Sequence, residues 1–89
     1  MKIKKGFVME KVGGSYLAVA TGAMANEFKA LVRLNGTGAF LWQQLSEGDK
    51  CEEDLLRAIL EEYEVEEDRA RADIEAFKKT LLGAGILDA

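Results

Sequence analysis

Residues 30–45, ALVRLNGTGAFLWQQL, constrain the fold of this chain more than any other stretch, because the apolar period changes inside them. Before Asn35 the pattern is that of a strand, with Val32 and Leu34 on one face and Leu31 and Arg33 on the other. After it, Gly38, Leu41, Trp42 and Leu45 recur at i, i+3, i+4 and i+7, which predicts a helix with one buried face. Only Asn35-Gly36-Thr37-Gly38 join the two, so strand and helix must pack directly on one another. Asn35 is the expected N-cap, its side-chain oxygen facing the N–H groups of Thr37 and Gly38. Gly38 on the apolar face permits a close approach to the sheet, and Trp42 is the expected core anchor.

Upstream of the join the chain reads as β structure. FVMEKV (residues 7–12) and SYLAVAT (residues 15–21) flank Gly13-Gly14, the signature of a β-hairpin with a tight primed turn. Residues 22–27 read as a loop and residues 28–34 as a third strand. Three strands with one apolar face need helices to cover that face, and they cannot close into a barrel, so an edge stays open. An open edge is either a liability masked by charge or a docking place for an added strand.

Downstream everything is helical. The first helix closes at Ser46-Glu47-Gly48-Asp49, with Gly48 as the residue after the cap. A second helix is predicted over residues 52–63, with Cys51 at the N-cap and Glu52, Glu53 and Asp54 suiting the helix dipole. Leu56, Ile59, Leu60 and Tyr63 form its expected buried stripe. Val65, in the turn that follows, is expected to plug into the core. A third helix is predicted over residues 67–82, with Ala70, Ile74, Phe77 and Leu81 as its core stripe. A further face of this helix carries Arg69, Ala72, Asp73, Ala76 and Thr80. Those side chains are short for a helix surface, and they read either as neutral helix formers or as the wall of a shallow groove. Gly83 or Gly85 ends the helix, and Ile86-Leu87 return to the core.

Composition narrows the function classes. Eighty-nine residues, 48% apolar and 31% charged, make one globular domain over residues 1–89. With no histidine and Cys51 as the single cysteine, the chain alone cannot build a disulfide framework, a Cys/His zinc site, or a Ser-His-Asp or Cys-His catalytic set. The expectation is a protein that is not an enzyme and carries no cofactor, with Cys51 structural. No apolar run approaches the roughly 20 residues of a membrane span, and no signal-peptide core follows the basic start, so a cytoplasmic protein is expected. Charge is unevenly distributed: residues 1–46 hold six basic and two acidic residues (+4), residues 47–89 six and fourteen (−8). Lys2, Lys4 and Lys5 read as a solvated terminus, and Glu61, Glu62, Glu64, Glu66, Glu67 and Asp68 as a solvated helix junction.

The order of these elements resembles a known family. LN…W…L from Leu34, EEDLLRAILEEYEV, and then DIEAFKKTLLGAGIL follow one another over residues 34–87 as in the PqqD family, pyrroloquinoline quinone biosynthesis protein D and its relatives. The resemblance implies an α+β, winged-helix-like fold: a three-stranded antiparallel β-sheet followed by three α-helices. It implies a RiPP recognition element, or peptide chaperone, rather than a catalyst. In such proteins the leader of a ribosomally made precursor peptide binds as an extra strand beside the third strand and against the third helix. It is then presented to a modifying enzyme, commonly a radical S-adenosylmethionine protein. Carried onto this chain, the edge is Leu31, Val32, Arg33 and Leu34, and the facing wall is Arg69, Ala72, Asp73, Ala76 and Thr80.

Two other readings compete. Helices two and three could mimic the helix-turn-helix of a winged-helix DNA-binding protein. The third helix, however, starts at Glu66-Glu67-Asp68, which would meet phosphates with repulsion, so no nucleic-acid partner is expected. Alternatively, the chain is a protein–protein adaptor, or a homodimer paired through the open sheet edge.

Overall fold

The computed structural model of the protein describes residues 1–22 and 32–88. Residues 23–27 of the expected loop and 28–31 of the expected third strand, Leu31 among them, lie outside the described residues. In chain order the elements are β1 (Lys2–Ile3), β2 (Phe7–Val12), β3 (Ser15–Ala20), β4 (Val32–Leu34), α1 (Gly36–Ser46), α2 (Glu52–Glu62), α3 (Glu67–Gly83) and β5 (Leu87–Asp88). The main sheet is antiparallel in the order β2-β3-β4, and the three helices follow it, giving the expected α+β fold. A second, two-stranded sheet pairs β1 with β5, an addition that residues this short gave no periodicity to announce.

The Gly13-Gly14 hairpin forms as the pattern predicts, with Val12 opposite Ser15. Its positive φ falls on Gly13 (61°) and not on Gly14, the arrangement of a type II′ turn, where glycine is needed at the first central position. Strand alternation then sorts the side chains. Phe7, Ala18 and Leu34 are buried on the inner face, while Val8, Glu10 and Arg33 are exposed on the outer face.

The helices cover the inner face. From α1 come Leu41, Trp42 and Leu45, from α3 the predicted stripe Ala70, Ile74, Phe77 and Leu81, and all join one core cluster. On α2 the buried stripe is Leu55, Leu56 and Ile59, which corrects the expectation for two residues. Leu60 remains 38% exposed, because it lies about 90° around the helix from the centre of that stripe. Tyr63 lies on the right side but past the last turn, as the extended C-cap residue, and it packs edge-on against Phe40 instead (5.5 Å, 85°). Val65 is also exposed rather than plugged into the core, since the residues from 63 to 66 carry the chain out around the helix junction.

Three local devices hold these elements in place. At α1, the Gly38 N–H donates to Asn35 Oδ1 at 2.7 Å, the expected cap. At α2, Asp54 Oδ2 accepts from the Cys51 N–H (3.1 Å) and from its thiol (3.3 Å). At the end of α3, the Ile86 N–H bonds to Leu81 O (2.9 Å) and the Gly85 N–H to Leu82 O (3.1 Å), the paired closure of a Schellman motif. Ile86 and Leu87 return to the core as predicted. Two ion pairs clamp α2 to α3: Lys78 with Glu52, and Arg71 Nη1 with Glu53 Oε1 at 3.2 Å. No helix among the described residues is long and apolar enough to cross a membrane.

Candidate functional site

β4 ends the main sheet, with β3 as its only partner among the described residues. Which of its backbone groups point outward follows from the alternation of an antiparallel ladder, in which hydrogen-bonded and non-hydrogen-bonded pairs take turns. The Thr21 N–H donates to Gly6 O at 2.7 Å, so the bonded pairs of the hairpin fall at every second step from there. They are Val8 with Val19, Glu10 with Leu17, and Val12 with Ser15. Leu17 thus directs its N–H and C=O toward β2, whereas Tyr16 and Ala18 direct theirs toward β4, where Leu34 and Val32 face them. Arg33 stands opposite Leu17, and its N–H and C=O point away from the sheet.

A cleft of about 130 Å³ runs between this edge and α3. Its floor is apolar, formed by Leu34, Gly38 and Phe77. Arg33, Asn35 and Thr37 line the strand side, and Asp73, Ala76 and Thr80 form the wall on α3. Gly38 sets the depth of the floor: a Cβ there would lie 3.2 Å from Asn35 Oδ1 and 3.4 Å from Leu34 Cβ. The cap therefore does two things, since the oxygen that starts α1 also shapes the cleft.

Charge is divided across the opening. The half-buried Asp73 carboxylate accepts from Arg69 Nε at 3.4 Å, one turn earlier on α3. Arg33 is exposed and forms no ion pair among the described residues. Nothing resembling a metal centre accompanies the cleft, for no group of three or more His, Cys, Asp or Glu among the described residues is placed to hold an ion.

Arg33, Leu34, Asp73, Ala76 and Thr80, all singled out from sequence, thus meet in one cleft. Val32 is half-buried and turned toward β3 by its backbone. Arg69 reaches the cleft only through Asp73, and Ala72 is exposed on α3 without lining it. Asn35, Thr37, Gly38 and Phe77 complete the lining although sequence reasoning gave them other work. The signal was present for Gly38, the one residue without a side chain on an otherwise large apolar face.

A family model described as coenzyme PQQ synthesis protein D (PqqD) matches residues 12–87. The chain belongs to the PqqD family. Among solved structures, this PqqD-family chain is similar to one entitled "TbiB1 in Complex with the TbiA(beta) Leader Peptide", with a TM-score of 0.77 over 100% of this chain and 96% of that one. At 24% sequence identity, that likeness is one of fold. A search of curated protein sequences gives no significant match.

Proposed function

We propose that the chain binds the leader segment of a ribosomally made precursor peptide by strand addition at Arg33, against α3, and presents it to a modifying enzyme. The observation that carries this reading is the conjunction of an outward-pointing Arg33 backbone with an apolar-floored cleft beside it. Main-chain bonds supply affinity that tolerates sequence, and the cleft selects side chains. Membership of the PqqD family and the shared fold with a leader-peptide complex support the same assignment. The chain acts by binding and not by catalysis, and the chemistry belongs to its partner, an enzyme of the radical S-adenosylmethionine type. A leader that is disordered when free must be ordered on binding, so affinities of about a micromolar or somewhat tighter are expected.

Calorimetric titration with peptides encoded beside the gene tests the mechanism. Arg33→Pro removes the outward N–H and leaves the bonds to β3 intact, so the protein should stay folded and lose peptide binding. Arg33→Ala keeps that N–H and should still bind the peptide. Val32→Pro, by contrast, removes a donor directed at β3 and should destabilise the sheet itself. A folded Arg33→Pro variant with undiminished affinity would place the peptide elsewhere. The rival in which a second copy occupies the edge predicts a dimer that peptide dissociates, which light scattering with and without peptide reads directly.

A further inference from the structure

Strand addition at this edge also dictates what the guest must look like, because residues directly opposed across a ladder carry their side chains on the same face. Arg33 is exposed on the outer face of the sheet and its neighbour Leu34 is buried on the inner face. A guest residue opposite Arg33 therefore points outward beside the guanidinium, and the residues on either side of it point inward. The one opposite Leu34 enters the cleft. This holds whether the guest runs parallel or antiparallel.

We propose that the recognised segment is an alternating triplet, an acidic residue between two apolar ones, with the acid opposite Arg33 and one apolar side chain in the cleft. The inference rests on the strand-addition reading and adds the chemistry of the guest. On the outer face the row of opposed residues is Glu10, Leu17, Arg33, so the strand next to Arg33 offers it an aliphatic side chain and no carboxylate. A guest carboxylate would stand directly beside a cation that has no ion-pair partner among the described residues. On the inner side the polarity is reversed. The cleft measures about 130 Å³. An apolar cavity of about 150 Å³ accommodates a benzene ring, so this one takes a single aliphatic side chain. Leu34 and Phe77 offer such a group apolar contact, and Asp73 is already paired with Arg69, so the α3 wall holds no free cation for an acidic one. The two faces thus sort the guest by polarity, apolar toward the floor of Leu34 and Phe77 and acidic toward Arg33.

A displayed library of short random peptides, selected in parallel on the full chain and on two variants at exposed positions, tests this. Wild type should enrich Asp or Glu flanked by Val, Ile or Leu. Arg33→Glu should enrich Lys or Arg at the centre with the same apolar flanks. Ala76→Arg, which fills the cleft, should enrich neither. Replacing the central Glu of a selected peptide by Gln should weaken its binding up to about fivefold, the range of an opposed cross-strand charge pair. Identical peptides from wild type and Arg33→Glu, lost on Ala76→Arg, would overturn the acidic triplet while leaving strand addition standing. Enrichment that survives Ala76→Arg, or no enrichment from the wild-type chain, would overturn both.

Discussion

A methyl group added at Gly38 would meet Asn35 Oδ1 at 3.2 Å and Leu34 Cβ at 3.4 Å, so one atom tests both the cap and the cleft. Alanine is favoured over glycine in a helix by about 1 kcal/mol, and a strained N-cap forfeits about as much. Gly38→Ala should therefore change stability by less than about 1 kcal/mol in a urea titration. Peptide affinity should fall about tenfold in calorimetry, the effect of an extra methyl in an already filled site. Asp54 gives a second test at this scale. Its hydrogen bonds from the Cys51 N–H, and then from the Cys51 thiol, hold its carboxyl below the ordinary 3.8. A carboxyl with a lowered pKa stabilises the fold above its unfolded value, and that contribution disappears as pH falls through the folded one. The stability advantage of wild type over Asp54→Asn should accordingly be full at neutral pH and vanish in acid below 3.8, in melts recorded across that range.

Among the elements, α2 shows best what a linear pattern conveys and what it leaves open. Leu55 is wholly buried, whereas Leu60 is 38% exposed. Leu55→Ala should cost about 2–5 kcal/mol and Leu60→Ala less than about 1, with the buried Trp42 as the fluorescent reporter of unfolding. From sequence alone, Leu56, Ile59, Leu60 and Tyr63 fit helical spacing as well as Leu55, Leu56 and Ile59 do. The choice is made by where α1 and α3 lie, which no single helix encodes. The same limit applies to the cleft. The small-residue face of α3 is legible as a row of short side chains at Asp73, Ala76 and Thr80, but sequence leaves open whether they are neutral helix formers or the wall of a groove. Strand and helix could be located at the Asn35 join because two different periods meet there. The outward direction of the Arg33 backbone could not, since it depends on the register of β4 against β3. The β1–β5 pair was equally hidden, because two-residue strands have no alternation to detect.

For the molecule as a whole, charge decides which partners approach. The half of the sequence that contains α2 and α3 carries −8, and α3 begins with Glu67 and Asp68 next to its Glu66 cap. Duplex DNA should not be retained in a shift assay even at low salt, where phosphate contacts are strongest. Peptide binding through Arg33 should weaken only mildly with added salt, because a single exposed pair is a small part of the whole.

The short β1–β5 sheet carries a last consequence. Lys2 lies opposite Asp88, so the first and last of the described strands lie side by side, and none of the residues that line the cleft belongs to either strand. A fold with such adjoining strands can be spliced into a surface loop of an unrelated protein, or tethered at either strand, without threading a linker across the proposed peptide cleft. Built in this way, the proposed peptide capture becomes a portable cassette.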